Sequence, residues 1–408
     1  MKEEPIRVLH VLGKLNMGGA ESRIMDLYRH IDRTKVQFDF LSHYQLPKGE
    51  KIEDLSSEHL ATLRVPEFYD EEIRALGGRI YVLPRFTGLN IGQYRKAARD
   101  FFREHHDFAI VEGHMTSMAS VYLPIAKKEG VPVTMAHARS AGVDAGFRGL
   151  ATRWMRRSLA DRCDVCLSCS KAASAAVYGQ KAVREGRVQV IPNALDVQSF
   201  YYDPARRQKI RQELGIPDTA IVLGHVGRFD IMKNQTFLAD IVEQLCEIQK
   251  DADYRCLFVG SGDLEKAVRA AFAKANLEDR AIFAGQCDRD RTVGMYQAFD
   301  AFVFPSLYEG LPGTVIEAQA AGLPCLISDR ITDEVCVTDN VCQYSLQNVN
   351  AWADKLQSLT SGDQEYFSDA ARSDRSAAAI RALGTAGYDV VSAAVRMQQY
   401  YLQLAGRK

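Results

Sequence analysis

Two glutamates eight residues apart, Glu309 and Glu317, flank a Gly310-Leu311-Pro312-Gly313-Thr314 turn. In a continuous helix that spacing amounts to roughly 12 Å of rise and about 80° of rotation. Carboxylates that share acid–base work across one sugar linkage stand about 5–10 Å apart, so the spacing speaks against a hydrolase pair. It suits two separate acceptors of hydrogen bonds from diols at different parts of one long ligand, such as a ribose and a hexose. The turn follows a strand-like run and opens a helix. Gly310–Thr314 would therefore offer backbone N–H groups and a positive helix end to an anion.

A second loop, Gly227-Arg228-Phe229-Asp230-Ile231-Met232-Lys233-Asn234, follows another apolar run. Arg228 and Lys233 at the C-terminal end of a strand suit a diphosphate, the arginine as a fork and the lysine as a point charge. In the N-terminal half, Gly18-Gly19-Ala20-Glu21 occupies the corresponding place, and adjacent glycines let the backbone approach an anion closely.

Other chemistries are disfavoured. Neither half carries G-x-G-x-x-G or a P-loop, so a dinucleotide oxidoreductase and an NTPase do not fit. The nine cysteines are not a disulfide scaffold in a 408-residue chain. Cys163, Cys166 and Cys169 lack the fourth thiolate of a cluster motif, because Ala173 stands in its place. They read as small buried residues of a strand or its flanks. The net charge of −1 gives nucleic-acid binding no global support. Residues 1–194 nevertheless carry 29 Lys+Arg against 23 Asp+Glu, and the remainder 22 against 29. A basic first half beside an acidic second half hints at a surface that meets something anionic.

The elements that must position these loops alternate. Ile6–Leu12, Val36–Ser42, Ile80–Leu83, His106–Glu112 and Val131–Ala136 read as strands, with helices after Gly19 and around Ser117–Lys128. The pattern then starts again with strands Ile221–Val226, Cys256–Val259, Ala281–Ala284, Ala301–Phe304 and Pro324–Ser328, separated by helices. Such alternation predicts α/β architecture with two doubly wound parallel sheets. The expected domains are 1–194, joined by 386–408, and 195–385, with a hinge near Asn193. Gln45–Pro66 reads as an irregular insertion of unknown role. No run approaches about 18 apolar residues, and the acidic start lacks a signal-peptide pattern, so a cytoplasmic protein is expected.

Taken together, the Glu309/Glu317 pair, Gly227-Arg228 with Lys233-Asn234, Gly18-Gly19-Ala20-Glu21 and Ile191-Pro192-Asn193 resemble the retaining glycosyltransferases of family 4, fold GT-B. The phrases Gly224-His225-Val226-Gly227-Arg228-Phe229 and Glu317-Ala318-Gln319-Ala320-Ala321-Gly322-Leu323-Pro324 are typical of its bacterial exopolysaccharide and capsule branch. The resemblance spans nearly the whole chain. It implies two Rossmann-like domains facing a cleft, with the final helix around Gly387–Leu404 crossing back onto the N-terminal domain.

The resemblance also implies roles. Arg228 and Lys233 match the pair that neutralises the donor diphosphate, Glu309 the glutamate near the donor sugar, and Glu317 the one that holds the ribose. Gly310, Leu311, Pro312, Gly313 and Thr314 match the turn that meets sugar and phosphate. Gly18 and Gly19 match the loop that closes over the donor. His137 matches the histidine near sugar and acceptor, and His114 is expected on the same side. Arg139 stands where this branch often has a second histidine, and many relatives have glycine where Ala194 stands. The implied reaction moves a hexosyl unit from a nucleotide diphosphate sugar, most simply a UDP-sugar, to a glycan or lipid-linked glycan. The anomeric configuration is retained, and neither metal nor other cofactor takes part. A sugar-nucleotide epimerase of the same fold and an inactive member of a polysaccharide assembly complex are the alternatives. The basic stretch 147–159, with Leu150, Trp154, Met155 and more loosely Leu159 on one side, reads either as an amphipathic helix packed on its own domain or as one that lies on an anionic bilayer at the inner face of the plasma membrane.

Overall fold

The computed structural model describes residues 4–46, 54–139, 146–361 and 364–407. The chain divides into two units, 1–195 with 390–408, and 196–389. Each is built on one parallel sheet.

In the first unit the strands are β1 (Ile6–Val11), β2 (Val36–Tyr44), β3 (Ile80–Pro84), β4 (Phe108–Gly113), β5 (Val133–Ala138), β6 (Val165–Ser168) and β7 (Val188–Val190), in the order β3-β2-β1-β4-β5-β6-β7. The order reverses between β1 and β4, which pair through Val8 with Ile110 and Val11 with Gly113. Continuous apolar runs form these strands because helices cover both faces of the sheet. One face packs under Tyr94, Phe101, Phe102 and Tyr122. The other packs under Ile24 and Tyr28 of helix Gly19–His30, together with Ala394, Met397 and Tyr401 of helix Val390–Leu404. The final helix thus returns to the N-terminal sheet.

In the second unit β8 (Ile221–Val226), β9 (Tyr254–Val259), β10 (Ala281–Phe283), β11 (Ala301–Phe304), β12 (Cys325–Ser328) and β13 (Val341–Tyr344) run in the order β10-β9-β8-β11-β12-β13. The reversal falls between β8 and β11. Open α/β sheets bind ligands outside such reversals, at the carboxyl ends of the strands. The loops after β8 and β11 begin there.

Several expectations change. Gln45–Pro66 is not irregular throughout: Ser57–Leu63 is a helix whose N-cap is Ser56, and residues 47–53 lie outside the described set. The side chains of Phe147, Arg148 and Ala151 also lie outside it. Helix Gly146–Arg156 turns Leu150 and Trp154 outward, 61% and 73% exposed. Met155 packs against the first core, and Leu159 is buried in a following 3-10 turn. Four apolar residues therefore do not share one face. Residues 150 and 154 are one helical turn apart, whereas 155 advances about 100° from 154. Asn193 exchanges hydrogen bonds with Arg139, its Oδ1 accepting from Nη1 at 2.9 Å, which ties it to the first unit. The division falls two residues later, after Leu195. All nine cysteines are free thiols; Cys166 and Cys169 are buried, and the Cys163 thiol donates to the Leu159 carbonyl.

Candidate active site

In the second unit three links join the loops after β8 and β11. The Leu307 amide donates to the Met232 carbonyl at 2.8 Å, Asn234 Nδ2 donates to the Pro305 carbonyl at 3.2 Å, and Lys233 Nζ lies 2.5 Å from Glu309 Oε1. Asn234 takes a left-handed φ of 52°, a conformation that asparagine tolerates. Asp230 accepts from the Lys233 amide and fixes the short turn that presents the lysine. Lys233 also lies 4.6 Å above the Phe304 ring. Arg228, two residues beyond β8, has no carboxylate partner among the described residues.

The Arg228 loop rests on a glycine turn. A Cβ at Gly260, whose φ is +137°, would stand 2.2 Å from the Gly227 carbonyl oxygen, and one at Gly262 would stand 2.4 Å from that of Phe229. No other residue allows this approach. The sequence hides the need, because glycines 33 and 35 residues away from Gly227 are not neighbours until β8 and β9 pair.

Beyond Glu309, Gly310, Leu311 and Pro312 lead into helix Gly313–Ala320, with Pro312 as N-cap and no side chain capping it. Glu317, only 7% exposed, accepts from Tyr296 Oη at 2.9 Å, and the same hydroxyl reaches the Thr314 carbonyl at 3.1 Å. Arg372, wholly buried, donates to the carbonyls of Tyr296, Gln297, Phe299 and Ala321. It neutralises the negative C-terminal ends of the helices that carry Tyr296 and Glu317. Sequence reading missed Tyr296 and Arg372. Ser306 Oγ, Thr314 Oγ1 and His225 Nε2 are buried without hydrogen-bond partners among the described residues. Buried polar atoms are normally paired, and these three lie on β8, the loop after β11 and the following helix.

The first unit holds a different cluster. His114, His137 and Arg139, at the carboxyl ends of β4 and β5, meet around Glu112, with His10 of β1 and Tyr401 of the final helix. His137 Nδ1 lies 2.7 Å from Glu112 Oε1, and Tyr401 Oη donates to Glu112 Oε2 at 2.5 Å. His10 Nδ1 and His114 Nε2 are 3.0 Å apart, and Arg139 Nε donates to His114 Nδ1 at 3.5 Å. Burial holds His10 and His137 neutral, with pKa values lowered to about 4. Burial also pushes His114 far down. Glu112 stays ionised: burial alone would raise it, but the hydrogen bond from His137 and the surrounding imidazoles bring it well below the usual range. Sequence reading missed His10, Glu112 and Tyr401. A histidine and a glutamate inside apolar strand runs were the available signal. His10, Glu112 and His114 also place three ligand-type atoms within 4.8 Å of one another. Both Glu112 oxygens already accept hydrogen bonds and Arg139 Nη2 lies 3.8 Å from one of them, a donor set that suits a hydrogen-bond network better than a dication.

Gly18, the N-cap of helix Gly19–His30, is extended, and a Cβ on it would collide with the Glu21 carboxylate at 2.3 Å. Glu21 thus folds back over this helix start, and burial, with Glu67 nearby, raises its pKa. Gly19 is open, with no atom within 4 Å of a Cβ placed there.

Two Rossmann-like units with parallel sheets of seven and six strands, and the final helix returned to the first, have the architecture of GT-B glycosyltransferases. Anabaena Alr3699/HepE, solved in complex with UDP-glucose, aligns over 98% of this chain and 99% of its own with a TM-score of 0.72 at 18% identity. Residues 17–199 match the model for Glycosyltransferase Family 4, and residues 206–374 that for Glycosyl transferases group 1. EpsF of Bacillus subtilis (strain 168), a glycosyltransferase by name, is 32% identical over 361 residues, 87% of this chain and 88% of its own. The UDP-Gal:alpha-D-GlcNAc-diphosphoundecaprenol alpha-1,3-galactosyltransferase of Escherichia coli is 30% identical over 155 residues, 38% of this chain and 39% of its own. The chain belongs to the glycosyltransferases that join a family 4 region to a group 1 region.

Proposed function

We propose that this glycosyltransferase moves a hexosyl unit from a UDP-sugar to a hydroxyl of a glycan or lipid-linked glycan in surface polysaccharide synthesis, with retention at the anomeric carbon. One observation carries the reading: Arg228, the Lys233–Glu309 pair, buried Glu317 and the uncapped start of helix Gly313–Ala320 gather at the β8/β11 reversal. As the glycosidic C–O bond breaks, negative charge grows on the diphosphate. Arg228, Lys233 and the helix N-terminus supply the fixed positive charge that stabilises it. They take the part that a dication plays elsewhere, so the reaction proceeds without metal. Glu317 accepts from the ribose hydroxyls and Glu309 from the sugar. Gly18 and Gly19 serve the donor, and His137, His114 and Arg139 serve sugar and acceptor hydroxyls.

The UDP-glucose complex of HepE and the UDP-galactose in the E. coli relative's name support uridine. That name's diphosphoundecaprenol supports a lipid-linked acceptor, and the sequence's resemblance to the exopolysaccharide and capsule branch supports polysaccharide assembly. Contact with an anionic bilayer fits the outward Leu150 and Trp154 beside exposed Arg153 and Arg157. No helix among the described residues is long and apolar enough to cross a membrane.

The test is a transfer assay with UDP-hexoses and undecaprenyl-diphosphate-linked acceptors in EDTA, with the product's anomeric configuration read by NMR. A product of the donor's configuration supports the reading. An inverted product, an absolute need for added metal, or conversion of the donor without acceptor contradicts it.

A further inference from the structure

Glu112 is wholly buried near the end of β4, and polar groups of β1, β5, the residues after β4 and β5, and the final helix face it. His10 Nδ1 of β1 lies 3.9 Å from Oε2, and His114 Nε2 lies 3.8 Å from Oε1. From β5 and the residue after it, His137 Nδ1 lies 2.7 Å and Arg139 Nη2 3.8 Å from Oε1. From the final helix, Tyr401 donates to Oε2 at 2.5 Å. A carboxylate only accepts, so the hydrogen bond to Oε1 requires the proton on His137 Nδ1. Neutral imidazole then carries its lone pair on Nε2. That atom is buried and has no partner among the described residues. His10 Nε2 is likewise buried without a partner among the described residues, but Arg139 donates to His114 Nδ1, so His114 donates from Nε2 to His10 Nδ1 and leaves His10 Nε2 as a donor. The bare acceptor is thus on His137, the residue that the proposed function assigns to a substrate hydroxyl.

We infer that Glu112, held in place by Tyr401, is a positioning residue: it fixes His137 as the Nδ1–H tautomer, so that Nε2 accepts a hydrogen bond from a hydroxyl of the sugar or acceptor. The identity of that hydroxyl rests on the glycosyltransferase reading; the tautomer does not. The returning helix is then part of the catalytic apparatus as well as of the core. Tyr401 buries its ring beneath the sheet and places its hydroxyl on the carboxylate that sets the histidine.

Long-range ¹H–¹⁵N spectra of ¹⁵N-histidine-labelled full-length protein, with His137→Asn for assignment, read the tautomer directly. Wild type is expected to show His137 neutral and protonated at Nδ1 at pH 7. Glu112→Leu removes the acceptor and should move the proton to Nε2, whereas Glu112→Gln, which can turn its carbonyl to His137 and its amide to Tyr401, should keep it on Nδ1. In turnover, Glu112→Leu should lower kcat by about tenfold or more with little change in donor KM, and Glu112→Gln should restore most of it. Wild-type His137 protonated at Nε2, or an unchanged tautomer in Glu112→Leu, overturns the inference; the wild-type spectrum decides even if Glu112→Leu does not fold. An Nδ1–H tautomer in a protein that transfers no sugar would count against the glycosyltransferase reading and leave the role of Glu112 standing.

Discussion

Lys233 and Glu309 hold each other across two loops, with 2.5 Å between the ammonium and the carboxylate and both side chains mostly buried. The pair joins the group expected to meet a diphosphate to the group expected to meet a sugar. A diphosphate drawn to Lys233 competes with Glu309 for the ammonium and frees the carboxylate to accept from hydroxyls. Lys233→Ala should therefore weaken UDP binding by roughly 10–100-fold, the range of a hydrogen bond between charged groups. Uridine, which lacks the phosphates, should lose little. Calorimetry with both ligands makes the comparison.

Glu317 is held by Tyr296, and Tyr296→Phe removes one hydroxyl while keeping the ring. The expected loss is about 0.5–1.5 kcal/mol of stability, with UDP affinity lowered severalfold. Glu317→Ala should reduce UDP affinity further, because the acceptor itself is gone. Denaturant melts and calorimetry on both variants check the order.

Acid should destabilise the protein well before its carboxylates titrate. His10, His43 and His137 are buried with pKa values lowered to about 4, and His225 to about 3, chiefly by desolvation. The unfolded chain protonates each near its ordinary value of about 6.5. Between that pH and the folded pKa the unfolded state binds more protons, so stability falls as pH falls. The slope is at most about 1.4 kcal/mol per pH unit for each histidine. It is absent above about pH 7 and ends below about pH 4 for His10, His43 and His137 and below about pH 3 for His225, once the folded state also binds the protons. Urea midpoints from pH 7.5 to 5 should decline steadily, and His225→Asn should show a shallower decline.

Leu150 and Trp154 face outward beside exposed arginines. Leu150→Asp with Trp154→Asp should abolish sedimentation with vesicles rich in phosphatidylglycerol and leave the melting temperature within a few degrees of wild type. Binding by the wild type should weaken as salt rises. Equal sedimentation of both proteins would remove the membrane from the proposal.

The sheets and the loops after β8 and β11 could be read from the sequence because their signals are local: unbroken apolar runs, a glycine turn, two cations five residues apart. The short edge strands β7 and β13 could not, since Val188–Val190 and Val341–Tyr344 are only partly buried and carry little apolar signal. Glu112 escaped for another reason. Its partners stand 25 residues away at His137 and 289 residues away at Tyr401, and only the order β1-β4-β5 and the returning helix bring them together. Tyr401 alone reads as one more apolar residue of an amphipathic helix. Arg372 likewise gives no hint in sequence that it is buried and holds four carbonyls.

The most direct test of a metal-free nucleotide-sugar site in the second unit is a thermal-shift screen of UDP, GDP, ADP and their hexose conjugates in EDTA, on wild type, Arg228→Ala and Glu317→Ala. UDP and UDP-hexoses should stabilise the wild type, and both variants should lose the shift while remaining folded. A folded wild type that responds to none of them, or only once a dication is added, would contradict that site.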